Sequence, residues 1–205
     1  MFKKLLVLVL MGGILIFSVF SQENQESNWF SRHFSNKIFL GYYSSYFDDN
    51  IRMLQGGYEA ALKLINITSN YNLLDVGIGL SGLLAYDFVN ENQKDNFGHD
   101  RPKNGRTTPG FELNWNVRLF AIPLLKINSC VYIEGCGMSL VVYSIEFPDT
   151  GTFVNIGTYL GMGLEFPLNN CKGYATLRWY HTSNGREYHN NPAFNSVGLI
   201  IGLQF

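Results

Sequence analysis

The sequence predicts an all-β fold, an eight-stranded antiparallel transmembrane β-barrel that follows a cleaved N-terminal signal peptide. Three observations support this. Apolar and polar residues alternate with a period of two over several segments. The chain has 12 Tyr, 16 Phe and 21 Gly but only 15% charged residues, and after residue 21 its apolar runs are short and interrupted. Lipid contacts only every second residue of a barrel strand, so this composition is typical of such a barrel.

The N-terminus has the features of a secretory signal. Lys3 and Lys4 precede an apolar run over residues 5–20, and Val19 and Ser21 occupy the small-residue positions of a cleavage site. The run is shorter than the roughly 20 residues of a spanning helix, which favours cleavage over a retained anchor. The chain therefore divides into a signal peptide (1–21), a polar lead-in (22–37) and the barrel (38–205).

Eight strands are predicted, an even number as closed bacterial barrels require. In the fourth, Phe111, Leu113 and Trp115 alternate with polar residues, and the sixth alternates in the same way. The predicted strands cover residues 38–46, 54–65, 73–88, 110–121, 130–144, 152–166, 173–183 and 194–205.

Charged residues recur on the face opposite the apolar one, at Glu112, Arg118, Glu165 and Arg178. A soluble sandwich would place such residues outside, whereas a membrane barrel has an apolar wall and a polar interior. In a barrel of only eight strands these side chains would also block the lumen, which disfavours a narrow pore.

The connections and the C-terminus fit a bacterial outer-membrane location. The longest polar connection, residues 89–109, falls on the outer side if the chain starts in the periplasm. The last strand alternates and ends on Phe205, which resembles the C-terminal signature by which the barrel assembly machinery recognises its substrates.

Composition excludes some partners. The net charge of −1 gives no electrostatic support for nucleic-acid binding. The three cysteines, Cys130, Cys136 and Cys171, lack the close spacing of a metal site, so no metal is expected. A disulfide between Cys130 and Cys171 stays open, as does the formation of a homodimer.

The alternation of the seventh strand places His181 and Ser183 on the lipid side, near the outer rim. Side chains at positions i and i+2 share a face, with Cα atoms roughly 6 to 7 Å apart. This spacing suits a serine nucleophile whose proton is taken by histidine. Asn195 on the eighth strand faces the same way and can orient the imidazole, although it cannot stabilise its positive charge.

The segments HTSNG and NNPAFN resemble the lipid A 3-O-deacylases, PagL-type acyloxyacyl hydrolases, whose hallmark is a His-x-Ser-Asn segment on a late barrel strand. The resemblance implies that Ser183 attacks an acyl ester of lipid A in lipopolysaccharide and that His181 is the general base. It further implies an oxyanion site at Asn184 and Gly185. It implies no cofactor.

One position departs from the family. The best-known members have Glu as the third triad residue, where this chain has Asn195, and Glu187 is an alternative acid. Arg186 is suited to lipid phosphates, and Asn191 begins the Asn-Pro-x-x-Asn pattern and is assigned to substrate binding. The main alternative is a non-catalytic barrel, an adhesin or structural protein, whose long loop at residues 89–109 binds a host factor.

Overall fold

A computed structural model describes residues 33–45, 51–66, 72–87, 106–124, 129–147, 152–184 and 193–205. These residues form eight antiparallel strands in one closed barrel, in which each strand pairs with its sequence neighbours and β1 pairs with β8. The strands are β1 (Phe34–Ser45), β2 (Ile51–Asn66), β3 (Asn72–Asp87), β4 (Arg106–Leu124), β5 (Ser129–Phe147), β6 (Thr152–Leu168), β7 (Cys171–Ser183) and β8 (Phe194–Gln204). The predicted eight-stranded barrel is confirmed.

The barrel closes without a free edge. The backbone N–H groups of Asn36 and Phe205 each donate to the other's carbonyl over 3.0 Å. This pairing satisfies the backbone N–H and C=O groups along the edges of β1 and β8. Inside a bilayer no water is present to solvate such groups. β1 begins at Phe34, four residues before the predicted start, and β4 extends beyond its predicted range at both ends. The proposed signal peptide lies outside the described residues and stays a prediction.

The two faces of the barrel differ as the sequence predicts. The outer face carries exposed apolar side chains, such as Leu40, Trp115 and Leu160. The inner face carries buried polar and aromatic side chains, including all four charged residues predicted there, Glu112, Arg118, Glu165 and Arg178. An apolar wall around a polar interior is the arrangement of a transmembrane barrel.

Glu134 is the centre of the inner polar network. One of its carboxylate oxygens accepts hydrogen bonds from Nε and an Nη of Arg118 over 3.1 and 2.7 Å. The other accepts from Nε and an Nη of Arg178 over 3.0 and 2.5 Å. Arg178 reaches Glu134 across β6, where the residue between them in the register is Gly161. A single carboxylate thus joins β4, β5 and β7.

A β-bulge interrupts β5. Cys136 pairs with Tyr159 and Ser139 pairs with Gly157, so two residues of β5, Gly137 and Met138, lie opposite Thr158 alone. The inner face consequently changes from even-numbered residues before the bulge to odd-numbered residues after it. The Thr158 hydroxyl donates to the Cys136 carbonyl over 2.7 Å, which satisfies a backbone acceptor at the bulge.

Cys130, Cys136 and Cys171 are all free thiols in this structure, so the disulfide left open between Cys130 and Cys171 is not formed. Within the described part of the chain, no helix has the length and apolar character needed to span a membrane. The same residues include no group of three or more His, Cys, Asp or Glu side chains placed to hold a metal ion.

Candidate active site

The candidate site lies where β7 ends and β8 begins, at the same end of the barrel as the β1–β2, β3–β4 and β5–β6 connections. Along β7 the inner side chains of Tyr180 and Thr182 are fully buried, whereas His181 and Ser183 between and after them are half-buried. The structure therefore places His181 and Ser183 on the outer face, as the alternation predicts.

His181 is bound by a residue of the neighbouring strand. It lies directly opposite Asn195 in the β7–β8 register. Its Nδ1 is 2.9 Å from the Asn195 Oδ1. With an oxygen as acceptor, Nδ1 carries the proton and Nε2 keeps a free lone pair. Asn195 thus selects the tautomer that a general base needs.

Ser183 is the last residue of β7 and lies opposite Ile156 of β6. It follows His181 by two residues on the same face. Within the described part of the chain no hydrogen bond joins its hydroxyl to the imidazole, whose Nδ1 is bonded to Asn195. Catalytic hydrogen bonds are often formed only when substrate is bound, so this geometry is compatible with a nucleophile and base.

His181 has two further neighbours, Trp179 and Thr158, to which the sequence assigned no part in the site. The ring of Trp179 stacks on the imidazole, with centroids 6.1 Å apart and an interplanar angle of 19°. On the other neighbouring strand, Thr158 lies directly opposite His181. The alternation does place Trp179 and His181 on one face, but it indicates an interfacial aromatic residue equally well.

The inner face beneath the site is packed with aromatic rings. Phe194, next to Asn195, contacts Phe147 with centroids 6.0 Å apart, and Tyr180, next to His181, contacts Tyr43 at 5.4 Å. Rings of this kind prefer the tilted and edge-on arrangements seen here. Because these residues are covalent neighbours of His181 and Asn195, their packing fixes the two strands that carry the pair.

The remaining predicted site residues lie at the start of the β7–β8 connection or within it. Asn184 is buried, in contrast to the half-buried Ser183 before it. Gly185, Arg186, Glu187 and Asn191 lie outside the described residues. The structure therefore places His181, Asn195 and Ser183 on one face at the same end of β7 and β8. The alternative acid, Glu187, lies outside the described residues and stays a prediction.

This arrangement contains the groups that acyl transfer by a serine nucleophile requires. It has a hydroxyl nucleophile, an imidazole with a free Nε2 and an orienting amide, all on the lipid-facing side. A substrate would reach it by lateral movement in the bilayer.

The family model described as Lipid A 3-O-deacylase (PagL) matches residues 13–204 of the chain. The chain belongs to the lipid A 3-O-deacylase (PagL) family. The match spans all eight strands, so the resemblance first based on the segments around His181 and Asn195 extends over the whole barrel. A search of the curated proteins found no match.

Solved structures agree with the family on the fold. The crystal structure of the outer membrane enzyme PagL is 12% identical, with a TM-score of 0.52 over 81% of this chain and 97% of that chain. The crystal structure of Neisserial surface protein A (NspA) is 11% identical, with a TM-score of 0.50 over 84% of this chain and 94% of that chain. An enzyme and a surface protein thus share this barrel, and the fold alone does not decide the activity.

Proposed function

We propose that this protein is an outer-membrane serine esterase that removes an ester-linked acyl chain, the 3-O chain, from lipid A of lipopolysaccharide. The family supplies the reaction class. The observation that carries the proposal for this chain is the bond from His181 Nδ1 to Asn195 on the lipid-facing rim, with Ser183 two residues further along the same face.

In the proposed reaction the Ser183 hydroxyl rotates towards the free Nε2 of His181. The imidazole takes the hydroxyl proton as the serine oxygen attacks the ester carbonyl, and Asn195 holds the imidazolium in place. The tetrahedral oxyanion collapses, the C–O bond to the sugar breaks, and the sugar oxygen takes the proton from His181. Water then hydrolyses the acyl-serine by the same steps, which releases a fatty acid and restores the enzyme.

We assign the oxyanion site to Asn184 and to nearby backbone N–H groups such as that of Gly185. Arg186 and Asn191, on the same connection, are assigned to the phosphates and sugars of lipid A.

Mass spectrometry of lipid A tests the reaction directly. Lipid A from cells that produce this protein should lose one hydroxyacyl mass, and that loss should disappear with Ser183→Ala. Heat-dependent gel mobility of the outer-membrane fraction would establish that both barrels are folded. Unchanged lipid A in both strains, with folded protein, would contradict the proposal and favour a non-catalytic adhesin or structural barrel.

A further inference from the structure

On the outer face, His181 has an aromatic neighbour in addition to the orienting amide of Asn195. Asn195, on β8, bonds to Nδ1 of the imidazole. Trp179, two residues earlier on β7, stacks its ring against the imidazole. On the neighbouring strands, Thr158 of β6 lies opposite His181 and Val197 of β8 lies opposite Trp179. Among these described neighbours none carries a charge.

This environment raises an energetic question for the proposed reaction. When His181 takes the proton of Ser183, a positive charge forms on a half-buried imidazole at the lipid-facing rim, where water stabilises it less than in solution. A carboxylate in the position of Asn195 would neutralise that charge, but an amide oxygen offers only a partial one. An aromatic face next to the imidazole is one group able to supply part of the stabilisation.

The face of an indole ring attracts cations through its quadrupole, and among the aromatic side chains Trp does so best, within about 6 Å of the ring centroid. The centroid of the His181 ring is 6.1 Å from that of Trp179, with the two planes inclined by only 19°. An imidazolium at this position would therefore lie at the limit of that distance, with its ring nearly parallel to the indole.

We propose that Trp179 is a positioning residue for catalysis, which holds the ring of His181 and stabilises its imidazolium in place of a triad carboxylate. This inference rests on the proposed function, since it concerns the same base. This role distinguishes Trp179 from Trp115, another Trp on the outer face of the described strands. Trp115 is exposed to a similar extent, 45% against 40%, but it lies on β4, three strands away, over Gly137.

The test measures hydrolysis of lipid A in mixed micelles by purified, refolded barrels. Trp179→Leu keeps an apolar side chain towards lipid but removes the aromatic face, and it should lower kcat by roughly 3- to 30-fold with little change in KM. Trp179→Phe should restore much of the rate, because a weaker aromatic face remains. Trp115→Leu, the matched control, should behave as wild type.

A second substitution separates charge stabilisation from simple packing. Asn195→Asp places a carboxylate beside His181, so the loss caused by Trp179→Leu should shrink in that background. An undiminished loss in the Asn195→Asp background, or a kcat unaffected by Trp179→Leu, would overturn the inference while Ser183-dependent hydrolysis still supports the proposed function. If folded wild-type protein and Ser183→Ala hydrolyse lipid A equally, the proposed function fails and the inference fails with it.

Discussion

Asn195 is the residue on which the candidate site differs from the expected triad. Its Oδ1 is 2.9 Å from Nδ1 of His181, so it is placed for the orienting role of a triad acid but carries no charge. Orientation and charge are separate contributions, and this chain provides an opportunity to measure each by itself.

We expect Asn195→Ala to lower kcat by roughly 10- to 100-fold, since it removes a hydrogen bond to a group that becomes charged during the reaction. Asn195→Asp should exceed the wild-type rate, because it keeps the acceptor and adds a negative charge. Steady-state hydrolysis of lipid A in mixed micelles checks both. Full activity of Asn195→Ala would show that the orienting bond is not needed.

For individual residues, the sequence could predict which face of the barrel a side chain points to, but not which side chains it contacts. Counting along β7 places His181 and Ser183 outward, because no bulge interrupts that strand between Cys171 and Ser183. The stacking of Trp179 on His181 depends on side-chain torsions that neighbouring strands select, and a period-two pattern carries no information about them. The burial of Asn184 could not be predicted either, because this residue follows the last residue of β7 and the alternation no longer applies.

At the scale of elements, alternation predicts a strand well and its limits poorly. All eight strands were found because lipid requires apolar residues on one face. Near the ends of β4, at Arg106 and Leu124, the strand continues where apolar residues are no longer required on one face. The alternation therefore does not mark these ends. The bulge in β5 was missed because Gly137 and Met138 both face outward, and small or apolar residues fit either phase of the alternation.

Close packing inside the strands predicts a contrast between two glycines. A Cβ on Gly198 of β8 would lie 2.2 Å from a ring atom of Tyr43, whereas a Cβ on Gly82 of β3 would meet only a backbone oxygen at 3.9 Å. The Tyr43 hydroxyl accepts from Arg178 over 3.2 Å and donates to Gln55 over 2.8 Å, so it cannot move without disturbing that network.

Gly198→Ala should therefore lower the free energy of unfolding by about 1 to 3 kcal/mol, the usual cost of overpacking. Gly82→Ala, its matched control, should leave stability unchanged or slightly higher. Urea titration of barrels refolded into lipid vesicles, followed by Trp fluorescence, measures both. Equal stability of the two variants would mean that Tyr43 adjusts without cost.

At the scale of the whole molecule, the barrel is a lipid-facing wall around a charged interior. The sequence could predict that Glu112, Arg118, Glu165 and Arg178 face inward, because each lies opposite an apolar stripe. It could not predict their partners, since these depend on the register between neighbouring strands. Glu134, which joins two of the predicted arginines, did not attract attention in the sequence for this reason.

The Glu134 carboxylate is the interaction whose loss should affect the entire barrel. It is buried and receives four hydrogen bonds, two from Arg118 and two from Arg178. Both guanidinium groups are themselves buried, and that of Arg178 lies 3.8 Å over the ring of Tyr159. Removal of the negative charge leaves two positive charges without their shared partner in a region that excludes water.

Breaking a buried ion pair by removal of one partner typically costs about 3 to 5 kcal/mol. Glu134→Gln, which keeps the shape of the side chain, should therefore lower the free energy of unfolding in vesicles by about that amount. Glu146→Gln, at an exposed position near the outer end of the same strand, should leave it unchanged. If both variants unfold at the wild-type urea concentration, water or neighbouring groups stabilise the two arginines, and the interior network is not what holds β4, β5 and β7 together.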